Sequence, residues 1–220
     1  KIIDCITFFD NNFMFELRYN ILRDYVDYFV VCESKFDHKG IEKGKNFIWK
    51  KNFEFKKIKY FYLEKPFPEN NDAWKNQAIQ REFLLESINF ASKDDYVFFS
   101  DPDEIPNPNL LINFNLKKKY GIFLQDCFNY KLNLFNKYES PWEGTKICKK
   151  KDLSTFTHLR KKIKSKNIKK PFYKGITKLE VDNYAAYDNK HSAVCVRESN
   201  TYLKINNIDC DISLVDVNEL

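Results

Sequence analysis

Ile2 to Glu33 reads IIDCITFFDNNFMFELRYNILRDYVDYFVVCE. The opening run, Ile2 to Phe9, is β-branched and aromatic and predicts a strand. Asp10, Asn11 and Asn12 then supply turn and N-cap chemistry for a helix from about Phe13 to Arg23, with Phe13, Met14, Leu17 and Ile21 on one stripe. Val26 to Cys32 is a second strand, closed by Glu33. Strand, helix and strand in about 32 residues form a βαβ unit, which predicts an α/β fold whose mainly parallel sheet is flanked by helices.

Downstream, residues 34–57 are polar and basic, contain Gly40 and Gly44, and read as an irregular loop that reaches over a site. A third strand follows at Ile58 to Leu63, and Pro66 and Pro68 close it. Asn70 to Ala91 reads as a long helix with Trp74, Ala78, Arg81, Leu85 and Ile88 on one face. An arginine inside that apolar stripe needs a partner, and a carboxylate near the sheet edge is expected to supply it. Tyr96 to Phe99 is a short apolar strand of the kind buried on both faces. From Gly121 the even positions Ile122, Leu124, Phe128, Tyr130, Leu132 and Leu134 alternate with polar residues, which predicts a long half-buried strand or hairpin. Strand-like pieces recur around Ile176 to Val181, Ala193 to Arg197 and Tyr202 to Ile208. Without an internal repeat or a clean linker, residues 1–220 read as a single domain.

Composition narrows the class further. Of 220 residues, 43% are hydrophobic and 17% aromatic, which excludes a disordered chain and a simple coiled coil. No run approaches the roughly 18 to 20 apolar residues of a membrane helix, and the opening residues read as a strand rather than a signal peptide. A soluble, cytoplasmic domain is expected unless a segment ahead of Lys1 targets it. Cys5, Cys32, Cys127, Cys148, Cys195 and Cys210 form no CxxC pair, so a zinc ribbon or disulfide scaffold is not expected. The net charge of +6 is uneven: residues 146–170 hold eleven Lys or Arg against Asp152, so this stretch carries +10 and the remainder −4. That stretch suits phosphates, nucleic acid or an anionic membrane surface, or is a solvated face. Only Phe156 and Phe172 accompany it, which disfavours base stacking.

The sharpest chemical signal is Ser100-Asp101-Pro102-Asp103-Glu104-Ile105-Pro106, which ends the apolar strand at Tyr96 to Phe99. In open α/β sheets ligands bind beyond the carboxyl ends of the strands. Three carboxylates in four residues repel unless a cation neutralises them, and hard oxygen ligands favour Mg²⁺ or Mn²⁺. The bland alternative is a solvated turn whose acids cap the next helix, started by Pro106 or Pro108. Glu33 ends the second strand on the same sheet edge, where it could bind a sugar or ribose hydroxyl. Asp4 lies inside an apolar strand and must be paired, and Arg81 is the expected partner for it, for the acidic cluster or for a phosphate. His38, His158 and His191 share no short ligand spacing, and GxSxG, GxGxxG and P-loop motifs are missing.

Six ordered pieces resemble glycosyltransferase family seventeen, the β-1,4-mannosyl-glycoprotein N-acetylglucosaminyltransferases and their relatives. They are Asp4 to Phe9, Phe15 to Asn20, Val26 to Ser34, His38-Lys39-Gly40, Trp74 to Gln77 with Gln80-Arg81, and Ser100 to Pro106. Trp142-Glu143-Gly144 and Leu153 to Arg160 match more weakly, and the resemblance fades beyond residue 165. The family's Gly-Trp-His-aromatic-Ser stretch near its end is reduced here to His191-Ser192. The resemblance implies a GT-A-like, Rossmann-type fold, a UDP-sugar donor with UDP-GlcNAc the expected one, a glycan or glycoconjugate acceptor, and inversion at the anomeric carbon. It implies a donor-binding half over residues 1–120 and an acceptor-side half over 121–220. It places Asp4, Glu33, Arg81, Asp101 and Asp103 around the donor, with Asp101, Asp103 and His191 holding Mn²⁺ or Mg²⁺. Glu104 and Glu143 are the residues for proton removal, and the Trp142 ring is placed to stack on a sugar. Two readings compete: a non-catalytic polyanion or nucleic-acid binding module built on residues 146–170, and a metal-dependent phosphatase or nuclease built on the same carboxylates.

Overall fold

In the computed structural model, which describes residues 1–129, 135–138, 140–160, 184–188 and 194–197, the opening run forms strand β1 (Ile2–Phe8) and the next stretch helix α1 (Asn12–Leu22). Strands β2 (Tyr28–Ser34), β3 (Ile58–Leu63) and β4 (Tyr96–Ser100) join β1 in parallel. Helix α2 (Ala73–Ser87) links β3 to β4. Strand β5 (Tyr120–Asn129) reaches β4 through the antiparallel β6 (Trp142–Lys149), and the short helix α3 (Phe156–Arg160) follows. Strands β7 (Tyr184–Asp188) and β8 (Val194–Arg197) both pair parallel with β5. Among the described residues the order is β3-β2-β1-β4-β6-β5-β7, with β8 also on β5. This is the expected α/β sheet, mainly parallel and flanked by helices.

Period-two alternation divides the core into two layers. Ile6, Phe8, Phe29, Val31 and Phe98 pack with α1 and with Phe47 and Phe53 of the following loop. Ile3, Cys5, Val30, Cys32, Val97 and Phe99 meet Leu84 of α2, Ile88 just beyond it, and Phe156 and Leu159 of α3. With both faces covered, β1, β2 and β4 can be almost wholly apolar, which is why they read as continuous runs. Cys5, Cys32, Cys127 and Cys148 are buried and form no disulfide among the described residues, and burial pushes the Cys5 thiol well up.

Three sequence expectations are corrected. Asn11, the residue before α1, makes no side-chain cap. Asn12 instead donates to the Asn46 carbonyl (2.8 Å) and accepts from the Ile48 amide (2.8 Å), so the polar start of α1 holds the loop. Helix α2 is shorter than Asn70 to Ala91 and turned: Asn76, Gln80, Arg81, Leu84 and Ser87 are buried, whereas Trp74 is 77% exposed. Its inner face is polar because Gln80 donates to the carbonyls of Phe8 on β1 and Cys32 on β2, and Asn76 to that of His38 in the loop after β2. On β5 the alternation breaks at a register shift between Ile122 and Leu124, and Ile122, Phe123, Gln125 and Cys127 are all buried. The expected continuation through Tyr130, Leu132 and Leu134, and the pieces around 176–181 and 202–208, lie outside the described residues.

Asp4 has a different partner from the one expected. Arg18 of α1 donates to both of its oxygens (Nε to Oδ2 and Nη2 to Oδ1, each 2.6 Å), and neither side chain is exposed. The same guanidinium reaches the Ser100 hydroxyl at 2.7 Å and the Glu104 carbonyl at 3.0 Å. One α1 side chain therefore ties β1 to the end of β4. Removing it strands a buried carboxylate: Arg18→Met is expected to lower the unfolding free energy by about 3–5 kcal/mol, with Asp4→Leu restoring most of the loss. Urea titration of the parent, Arg18→Met and the double variant checks this, and an unchanged midpoint for Arg18→Met would contradict it.

Candidate active site

From β1 the chain crosses to β2 on one side, while β4 lies on the other side of β1 and leads to β6. That reversal opens a crevice beyond the carboxyl ends of β1 and β4, the place where open α/β sheets bind ligands. The acidic turn sits there as the exit of β4. Its backbone is stapled on every side: the Glu104 amide donates to the Asp101 carbonyl (3.0 Å), and the Glu104 carbonyl accepts from Arg18 and from the Thr145 hydroxyl (2.7 Å). Gln125 of β5 donates to the Ile105 carbonyl at 2.6 Å. The turn is thus fixed by α1, β5 and β6 together.

Each acid has its own setting. Asp101 is partly buried, and its Oδ2 accepts from Arg160 of α3 at 2.8 Å. Asp103 is half-buried on the same turn. Glu104 is buried; its Oε1 accepts from the Trp142 indole (2.7 Å) and its Oε2 from the Asp101 amide (3.2 Å). Burial, with the Asp101 carboxylate adding, pushes Glu104 up to about 7, against the pull of Lys146. Lys146 is itself buried, and its ammonium rests on the carbonyls of Glu143 and Gly144. Loss of water pushes it below its ordinary range.

Glu33 lies near the carboxyl end of β2 and Asp4 inside β1, and both are engaged by other side chains of the chain. Glu33 is fully buried with both oxygens engaged: Oε1 by the Lys43 ammonium (2.6 Å) and the Asn46 amide (2.7 Å), Oε2 by the Phe47 amide (3.2 Å) and the Tyr60 hydroxyl (2.8 Å). It anchors the loop of residues 34–57 over β2 and β3, and Asp4 is taken up by Arg18. Arg81 is buried as expected, yet its neighbours are Gln77 Oε1 (3.1 Å) and Thr157 Oγ1 (3.4 Å), not a carboxylate. Trp142 is half-buried and directs its indole N–H at Glu104. Glu143 is half-buried on β6 beside it.

Sequence reading passed over Arg18, Lys146 and Arg160. Arg18 shares the i, i+3, i+7 spacing of Phe15 and Leu22, so its burial was visible in the helical stripe. Lys146 and Arg160 were absorbed into the basic stretch. Of that stretch, Lys146 is buried, Lys151 pairs with Asp94 at 2.7 Å and Arg160 pairs with Asp101. Residues 161–170 lie outside the described residues, as does His191.

Among the described residues no cluster of three or more His, Cys, Asp or Glu side chains forms a ready-made metal cage. The donor set still fits a hard cation: Asp101 and Asp103 offer carboxylate oxygens at a crevice mouth, and Mg²⁺ or Mn²⁺ commonly completes its shell with water and substrate phosphates.

Two outcomes test how the site is held. Gly144 lies against Gln125, where an added Cβ would overlap the Gln125 side-chain oxygen. Gly144→Ala is therefore expected to displace Gln125 from the Ile105 carbonyl and to cost on the order of 1–3 kcal/mol, read as a lowered Tm. Glu33→Gln keeps an acceptor on one side only, so amide exchange at Phe47 or Asn46 is expected to quicken at least about fivefold, the equivalent of ~1 kcal/mol for one lost bond.

Among solved structures, a glycosyltransferase involved in the glycosylation of the major capsid of PBCV-1 shares 12% identity at a TM-score of 0.39, over 85% of this chain and 81% of that one. The glycosyltransferase GlyE of Streptococcus pneumoniae TIGR4 shares 10% identity at a TM-score of 0.34, over 84% of this chain and 45% of that one. No curated protein sequence matches. The model of glycosyltransferase family 17 matches residues 1–162, which include the βαβ start, the acidic turn and α3, and the chain therefore belongs to glycosyltransferase family 17.

Proposed function

We propose that this glycosyltransferase moves N-acetylglucosamine from UDP-GlcNAc to a hydroxyl of a glycan acceptor, with inversion and with the help of Mn²⁺ or Mg²⁺. The observation that carries the reading is the carboxylate turn Asp101 to Glu104, stapled into the crevice between β1 and β4 in a chain of this family. Inversion is a single displacement: the acceptor oxygen bonds to the anomeric carbon from one side as the bond to the diphosphate oxygen breaks on the other. The acceptor proton must leave in that step, and a carboxylate takes it. Glu104 fills this role, with Trp142 holding one of its oxygens in place; Glu143, beside Trp142, is the other carboxylate on that wall. Asp101 and Asp103 would hold the cation, which offsets the negative charge gathering on the departing diphosphate.

The test is a screen of nucleotide sugars for slow hydrolysis, followed by transfer assays on variants. UDP-GlcNAc is expected to be turned over only with Mn²⁺ or Mg²⁺ present. Asp101→Asn and Asp103→Asn should abolish both transfer and metal-dependent donor binding while the fold survives. Glu104→Gln should lower transfer by about 10²–10⁴-fold and leave donor binding in place. If instead Glu143→Gln carries that loss and Glu104→Gln is near parent activity, the proton acceptor is Glu143. Normal turnover by both aspartate variants would overturn the site.

A further inference from the structure

Arg81 carries an unmet demand. Its side chain is 5% exposed, and a guanidinium is a planar fork of donors with no means of shedding its charge. Its Nη1 and Nη2 reach only the neutral oxygens of Thr157 and Gln77. Its Nε is buried with no hydrogen-bond partner, and among the described residues no carboxylate lies within ion-pairing distance of it. The guanidinium stands 5.8 Å from the centre of the Phe99 ring, on the strand that ends in the acidic turn. A buried cation with an unsatisfied donor is costly unless an anion meets it.

A second guanidinium stands close by. Arg160 bonds Asp101 at 2.8 Å with 38% of its side chain exposed. Its place is fixed because α3 is docked on α2: the Glu82 carboxylate accepts from the amides of Phe156 (3.1 Å) and Thr157 (2.7 Å), and Phe156 packs on Phe99 at 5.3 Å. Burial and the charge of Arg160 both push Arg81 below its ordinary range, as expected of two cations sharing one corner. The Asp101 and Glu82 carboxylates attract Arg81 from beyond pairing distance, and only Arg160 bonds a carboxylate directly, one assigned above to the cation.

We infer that Arg81 and Arg160 form a clamp for a diphosphate group, and that Asp101 holds Arg160 in place until the anion takes it over. Planar guanidinium forks match phosphate oxygens in pairs, which a single ammonium cannot do. The clamp deepens the transferase reading and rests on it for the source of the diphosphate, the nucleotide-sugar donor. It also gives the two sides of the crevice complementary work, with carboxylates for the cation and guanidiniums for the phosphates.

Calorimetric titration of the full chain with inorganic pyrophosphate, without divalent metal, tests the clamp directly. The parent is expected to bind pyrophosphate, more weakly as salt is raised. Arg160→Gln and Arg81→Gln should each weaken binding by at least about tenfold, with Arg81→Lys as a second variant that keeps the buried charge. Asp101→Asn should strengthen metal-free binding, and Arg160→Gln should then cost more in that background than in the parent. Uridine alone should bind all variants alike, whereas UDP and UDP-GlcNAc should follow pyrophosphate. A parent that does not bind pyrophosphate, glutamine variants that match it, or an Asp101→Asn that binds it less tightly would each overturn the clamp. These results are separable from the transferase reading. Unchanged donor hydrolysis in both glutamine variants sinks the clamp alone, while a clamp that binds pyrophosphate in a chain that turns over no nucleotide sugar sinks the transferase reading alone.

Discussion

Everything at the crevice hangs on the buried pair between Arg18 and Asp4. Taking both ions out of water costs about as much as their attraction returns, so such a pair supplies position more than stability. Here position is the need. The guanidinium spends its donors on Asp4 of β1, Ser100 at the end of β4 and the Glu104 carbonyl of the acidic turn. The middle of β1 is thereby locked to the carboxyl end of β4, far from it in sequence, and the turn that follows β4 is held against α1.

The loop of residues 34–57 is held by the same economy of means. Glu33 gathers two backbone amides, a lysine and a tyrosine hydroxyl, while Asn12 and Gln80 satisfy loop and strand-end backbone groups from α1 and α2. Phe47 completes the anchor by stacking on Tyr60 and meeting Phe8 and Phe15 edge-on. A segment without regular structure can be kept close to the sheet because its polar backbone is paired and its aromatic residues join the core.

Charge in the crevice is arranged as alternating signs at short range. Asp101 faces Arg160, and Glu104 lies near Lys146 while Trp142 and the Asp101 amide hold its oxygens. Burial works against the ionised forms of Glu104 and Lys146, so the carboxyl is pushed up to about 7 and the lysine below its ordinary range.

The sequence by itself determined the layered α/β architecture, because strands covered on both faces must be apolar throughout and the helix between them must show a 3.6-residue stripe. It also singled out the acidic turn after such a strand as the candidate site, and the ordered motifs pointed to the family that residues 1–162 match. Tertiary structure decided the pairing of charges. Asp4 sits fourteen residues from Arg18 and seventy-seven from Arg81, and periodicity ranks neither as its partner; only the packing of α1 on β1 does so. Likewise Lys146 and Arg160 look like members of one solvated basic run, yet β6 buries one and α3 aims the other at Asp101. Backbone pattern is written in neighbours along the chain, whereas a side chain's partner depends on which elements the fold brings face to face, and that is set by contacts distant in sequence.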